Sequence, residues 1–214
     1  MKSALGKIAS RATLAVATFV ALSACSSMSA NECLSTDWRM VGYEDGVVGY
    51  AGNRIAKYRK ACGEHGISPD LSAYQLGRDE GLREYCKPLN GFRAGSRGNS
   101  YNGVCPADLD RAFMDAYQSG RQLYTMRSNV SATARQIDAM RAELEQIDKD
   151  LVSNGAKILD SSITHEQRAQ LLVDSKQMAE RKGEIKTRIP QLESELLVNQ
   201  RELDDYRATL PYVE

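Results

Sequence analysis

From Leu123 onward, hydrophobic side chains return every seven residues. Leu123, Val130, Ile137, Leu144 and Leu151 form one row, and Met126, Thr133, Met140 and Ile147 form a second row three positions further on. Two such rows kept over several heptads are the seam of a coiled coil, so this part of the chain is constrained to a long amphipathic helix. Ser153-Asn154-Gly155 reads as its C-cap and turn. Thr164-His165-Glu166-Gln167 reads as the capping box that opens a second helix. Its seam continues through Leu171, Met178, Ile185, Ile189, Leu192, Leu196, Leu203 and Leu210, and Pro190 inside it is expected to kink the helix. The two arms are expected to fold back as an antiparallel coiled-coil hairpin over residues 121–214. The alternative is a coiled coil between two chains.

Composition changes near residue 120. Most glycines, four of the five cysteines and most aromatics lie between residue 33 and that point. Within this stretch a pattern repeats. Trp38, Gly42, Gly46 and Tyr50 form one copy, and Tyr74, Gly77, Gly81 and Tyr85 form a second. Phe113, Ala116, Gly120 and Tyr124 form a weaker third. Spacings of three and four place these residues on one face of a helix. Glycine costs about 1 kcal/mol against alanine inside a helix, so its repetition implies close helix packing. The acids Glu44-Asp45 and Asp79-Glu80 sit between the glycines, with Arg78 and Arg83 near the second pair. They are read as solvated or ion-paired helix faces rather than acid–base machinery or a calcium site.

Cys33, Cys62, Cys86 and Cys105 are an even set without a close Cys-x-x-Cys pair, which favours two disulfides over a zinc site. Cys86 with Cys105 would tie the ends of a glycine-rich stretch and leave Cys33 with Cys62. A straight helix from Ser35 to Lys60 would hold that second pair roughly 35 Å apart, unless it breaks at Gly49 or Gly52. Otherwise Cys33–Cys86 with Cys62–Cys105 is the pairing, and the sequence leaves both open. Residues 87–104 read as a loop from their glycines and asparagines. On it Phe92, Arg93, Arg97 and Tyr101 form a candidate ligand site for an anion or a sugar face. The stretch is neither a P-loop nor a nucleophile elbow.

The N-terminus bears on location. Lys2, Lys7 and Arg11 precede a short apolar run from Ala12 to Leu22, which ends in Leu22-Ser23-Ala24-Cys25. These are the parts of a secretory signal, and the run is too short to span a bilayer. Leu-Ser-Ala-Cys resembles the bacterial lipobox, which implies a signal peptide over residues 1–24, lipid on Cys25 and a tether over residues 25–32. Ser26 and Ser27, by resemblance to Gram-negative lipoproteins, imply the outer membrane facing the periplasm. Removing residues 1–24 from 214 leaves 190, and loss of three basic residues turns a neutral chain into one of formal charge −3. Such a chain has no basic excess for nucleic acid.

The only histidines are His65 and His165, one at a turn and one in a helix cap, without evident partners for a triad or a metal. No catalytic residue, metal site or cofactor is expected. Asn129-Val130-Ser131 matches a glycosylation acceptor but falls mid-helix.

Cys33, Asp37-Trp38, Gly42 and Asp45-Gly46, then Tyr74, Gly77, Gly81-Leu82 and Tyr85-Cys86, then Asn90-Gly91, Gly98, Tyr101 and Cys105-Pro106 together resemble a proteobacterial lipoprotein family catalogued as domain of unknown function 2799. The likeness covers about Cys33 to Tyr124 and implies a location and a domain boundary rather than an activity. The expectation is therefore an all-α, non-enzymatic envelope lipoprotein. A disulfide-bonded helical domain (residues 33–120) would stand near the membrane, and the hairpin (residues 121–214) would meet an envelope protein partner. The alternative is a cell-wall or outer-membrane ligand-binding module that uses loop 87–104.

Overall fold

The computed structural model describes residues 28–212, so the signal segment 1–24 and Cys25 lie outside the described residues. The fold is all-α, as expected. It comprises α1 (Ala30–Ser35), α2 (Trp38–Val48), α3 (Ile55–Gly63), α4 (Leu71–Tyr85), α5 (Pro88–Ser96), α6 (Ala107–Leu159) and α7 (His165–Thr209). Short polar side chains start several of them. Asp37 accepts from the Arg39 and Met40 amides, and Asp70 from Ala73. Capping boxes at Ser29/Glu32 and Thr164/Gln167 open α1 and α7.

The small-residue faces pair the helices. A Cβ on Gly42 would sit 2.0 Å from the Tyr74 carbonyl oxygen, and one on Gly46 would sit 2.4 Å from that of Arg78. In return, a Cβ on Gly81 would lie 2.2 Å from the Tyr43 oxygen. The contact points advance together along both chains, so α2 and α4 run parallel with backbone against backbone. Only residues without a side chain permit this.

Residues 88–96 form helix α5, not the loop read from the sequence. Pro88 occupies the first turn, where its missing N–H is harmless. Gly91 and Gly95 then face α6. Their Cβ positions lie 2.4 Å from the Phe113 oxygen and 2.1 Å from the Tyr117 oxygen, while that of Gly120 lies 2.2 Å from the Phe92 oxygen. The three-copy pattern is therefore four helices in two parallel pairs. Gly42, Gly46 and Gly49 in the first pair correspond to Gly91, Gly95 and Gly98 in the second, at a constant offset. Tyr74, Gly77, Gly81 and Tyr85 correspond likewise to Phe113, Ala116, Gly120 and Tyr124. Both leading helices end at a left-handed glycine, Gly49 at φ 74° and Gly98 at φ 78°, each against a tyrosine ring of the partner helix.

Each pair is closed by one disulfide, Cys33–Cys62 and Cys86–Cys105, both with Cα atoms 5.7 Å apart. The break at Gly49, followed by a single 3-10 turn over Gly52–Arg54, turns the chain back and makes Cys33–Cys62 reachable.

The hairpin follows its seam with two differences. The turn expected at 153–155 is absent, and α6 continues to Leu159. Asn154 falls seven residues after Ile147, in the inner row, and is buried with its amide 3.5 Å from Ser175 Oγ. The heptad thus overrides the local turn signal. Pro190 does not interrupt α7; it lies on the exposed face, where its missing N–H meets no packed partner. Arg141 reaches Glu193 at 2.6 Å and Arg181 reaches Glu143 at 2.7 Å across the arms, while Lys182 pairs with Asp148. Helix α6 runs unbroken through the boundary set at 120/121, so the disulfide-bonded part and the hairpin share one helix. The end of α7 returns to the second pair, where Leu203, Tyr206, Leu210 and Tyr212 pack on Phe92, Ala116 and Leu123.

Two outcomes are expected in urea denaturation. Gly120→Ala lowers stability by about 1–3 kcal/mol, because its methyl meets backbone. Gly155→Ala, where a Cβ meets nothing within 4 Å, raises it by up to about 1 kcal/mol. Asn154→Leu raises the melting temperature of the hairpin but relaxes its register, which light scattering reads as new oligomers.

Candidate functional site

The first helix pair encloses a polar cluster. Asp45, on the inner side of α2 beside Gly46, is 4% exposed. Its Oδ1 accepts from Arg54 Nε at 2.9 Å and Tyr58 Oη at 3.4 Å, and its Oδ2 accepts from Tyr74 Oη at 2.8 Å. Burial, reinforced by the Asp45 carboxylate, pushes the Tyr74 phenol well above its ordinary value. Arg54 also lies 3.6 Å over the Tyr50 ring, a cation–π contact. Asp45 is ion-paired, as read from the sequence, but it is buried rather than on an open helix face, and its partners come from the 3-10 turn, α3 and α4. What the sequence hid is that this carboxylate joins three elements.

Beside the cluster a cavity of about 260 Å³ opens between α3 and α4, with Ile55, Leu71, Tyr74 and Gln75 in its wall. Arg78 spans it and donates to the Tyr50 carbonyl at 2.9 Å, while its Nε is shielded from solvent without a hydrogen-bond partner. Asp79 lines the same opening. These groups can orient a small polar ligand, though the carboxylate offsets much of the attraction for an anion.

The candidate ligand residues do not converge. Phe92 is 5% exposed on α5 and stacks on Tyr212 with ring centroids 4.9 Å apart. Tyr101 is half-buried; its ring packs 4.8 Å from Phe113, its hydroxyl donates to Asp110 at 2.6 Å, and it accepts from the Cys105 amide at 2.9 Å. Burial and the Asp110 carboxylate push its pKa up to about 12. Both aromatics are core, and only Arg93 and Arg97 are exposed. Phe92 and Arg93 are the inward and outward faces of α5, Arg97 is its C-cap, and Tyr101 turns inward from the segment that follows.

The two histidines are also separate. His65 Nε2 donates to the Met28 carbonyl at 2.9 Å, and His165 opens α7. Among the described residues no cluster of three metal-ligating side chains occurs. No described helix is long and apolar enough to cross a membrane.

The hairpin carries a different kind of surface. At its distal end Val152, Leu159, Leu172 and Val173 are 76%, 85%, 56% and 49% exposed. They lie off the seam on the last turns of α6 and the first of α7, around the Asp160–Thr164 turn. Sequence periodicity points to the seam and is silent about such off-seam residues.

Residues 37–122 match a family described as Protein of unknown function (DUF2799). No curated protein and no solved structure matches the chain.

Asp45→Ala is expected to lower stability by about 2–3 kcal/mol, since it strands the Arg54 guanidinium and two phenols. Asp45→Asn costs less, because its amide oxygen still accepts on one side and its NH2 can donate to the phenol oxygen on the other. Urea denaturation monitored at Trp38 checks both.

Proposed function

We propose, for a chain whose residues 37–122 are a DUF2799 domain, that the protein is a non-enzymatic lipoprotein of the bacterial envelope that recruits a protein partner through its coiled-coil hairpin. The observation that carries this reading is the exposed apolar tip of Val152, Leu159, Leu172 and Val173. Exposed clusters of large aliphatic side chains are unfavourable in water and mark contact surfaces. The position supports the same reading. At 1.5 Å per residue the 45 residues of α7 extend about 68 Å, so the tip stands far from the disulfide-bonded helices. The seam beneath it is complete without a second chain, which leaves the tip free for a partner.

The Leu22-Ser23-Ala24-Cys25 motif supports lipid anchorage, with acylated Cys25 in the membrane and the domain on the periplasmic side of the outer membrane. Each buried methylene contributes about 0.8 kcal/mol, so several acyl chains hold firmly. The intact mass of the membrane-extracted protein, wild type beside Cys25→Ala, reads the anchor. The expected wild-type product begins at a triacylated Cys25, and a soluble, unlipidated product rejects the anchor.

The recruitment claim is tested by crosslinking in intact envelopes followed by affinity capture. Wild type is compared with the variant Val152→Ser, Leu159→Ser, Leu172→Ser, Val173→Ser. All four side chains are exposed, so the fold is expected to persist. Loss of the captured partner from the variant is the expected outcome, and identical partners would sink the recruitment reading.

A further inference from the structure

Helix α3 and the turn before it are densely basic. From Ala51 to Gly63 the chain carries Arg54, Lys57, Arg59 and Lys60 and no acid. Arg54 is engaged by Asp45. The other three are exposed, and none takes part in an ion pair among the described residues. Helical geometry places two of them together. Ile55, Tyr58 and Cys62 form the inward face, Lys57 and Lys60, three positions apart, share the outward one, and Arg59 stands on the flank. Glu64, one position past the helix, is the nearest uncommitted acid in sequence; Glu32 on α1 is occupied by the Ser29 capping box.

The same corner holds the entry of the described chain. Cys33 is bonded to Cys62 in the last turn of α3, the Met28 side chain packs on the core beneath α3, and the Met28 carbonyl accepts from His65. Met28 is therefore held beside the C-terminal end of α3 by a hydrogen bond and apolar contact, with the Cys33–Cys62 bond following on the same chain segment. Two residues, Ser26 and Ser27, separate it from Cys25, and the three Cα–Cα steps reach at most ~11 Å. Leu34, beside the disulfide on α1, is 72% exposed at this corner.

We infer that α3 lies on the phospholipid surface, with Lys57 and Lys60 against anionic headgroups, an inference that rests on the lipid-anchored reading of Cys25. A tether this short leaves the basic face no water-filled distance to cross, and cations near an anionic leaflet are attracted within a Debye length. The arrangement fixes orientation as well as attachment, because lipid on Cys25 alone would let the domain swivel.

The test installs the lipid chemically, so it does not depend on lipidation in the cell. In the chain beginning at Cys25, the other four cysteines are in disulfides, which leaves Cys25 as the free thiol. That thiol is coupled to maleimide-phosphatidylethanolamine in vesicles of phosphatidylcholine, with or without phosphatidylglycerol and cardiolipin. Lysine acetylation is then followed residue by residue. Lys57 and Lys60 are expected to react roughly fivefold more slowly on the anionic vesicles, with the difference erased by molar salt. Lys149 and Lys157 on the hairpin are expected to react alike on both. Equal rates at Lys57 and Lys60 on the two lipids overturn the inference, and so does equal slowing at the hairpin lysines, which marks unspecific adsorption. An unlipidated cellular product, read by intact mass, is a separate result that rejects the anchor itself.

Discussion

The contact between glycine-lined helix faces is the constraint on which the structure depends. In both parallel pairs a carbonyl oxygen of one helix occupies the space where the other would carry a Cβ, as at Gly42 against Tyr74 and Gly120 against Phe92. Helices this close gain dispersion and weak Cα–H···O contacts along their backbones, but bury little side-chain area between them. The area comes from the flanks. Trp38, Tyr58 and Tyr74 fill one side of the first pair, and Tyr85, Tyr101 and Phe113 fill the junction with the second. The core is accordingly aromatic rather than aliphatic, and its phenols need buried partners. That need explains why Tyr58 and Tyr74 share Asp45 and why Tyr101 reaches Asp110.

The disulfides follow from the same geometry. A pair of parallel helices cannot be joined by a tight turn; the chain must travel back before it starts the second helix. Each return packs on its pair through a few side chains, Ile55 and Tyr58 in the first and Tyr101 and Val104 in the second, and each is pinned by a bond from its cysteine to one that lies ahead of the first helix of the pair. In both returns a tyrosine stands four residues before that cysteine, Tyr58 before Cys62 and Tyr101 before Cys105. The two units are thus alike in helices, glycines, bond and tyrosine, as expected of a repeated unit. They differ where the second helix of the later pair runs on into the hairpin.

Much of this was legible in the residues. The seam positions from Leu123 to Leu210 are buried or half-buried, because a sevenfold spacing can satisfy only one helix face. The Thr164 capping box and the all-α class were equally legible. Helix α5 was not. Glycine and asparagine lower helix propensity, so local chemistry argued for a loop, and only the spacing of Gly91, Gly95 and Gly98, the same as that of Gly42, Gly46 and Gly49, argued otherwise. The same conflict recurs at Asn154, where a local turn signal lost to the heptad register. In both places a long-range pattern outweighed a short-range preference, since tertiary contact supplies more free energy than a fraction of a kcal/mol of propensity per residue. The candidate loop site failed for a related reason: side-chain type without direction cannot separate an inward Phe92 from an outward Arg93.

Continuity from one end of the molecule to the other is the consequence that bears on function. Met28 is fixed to α3, and α3 is fixed by its disulfide and by Arg54 to the first pair. Leu82 and Cys86 of the first pair pack on Phe113 of the second, while Asn90 donates to the Glu84 and Tyr85 carbonyls across the turn between them. Helix α6 then leaves the second pair as the first arm of the hairpin without a break. A single emerging helix could pivot at its root, but α7 returns to the same place. Tyr206 donates to the Ser119 carbonyl at 3.0 Å, and Tyr212 lies on Phe92. Two separated contacts at the base resist rotation where one would not. The hairpin is therefore set by the disulfide-bonded helices beneath it, through contacts that follow one another from Met28 to its base.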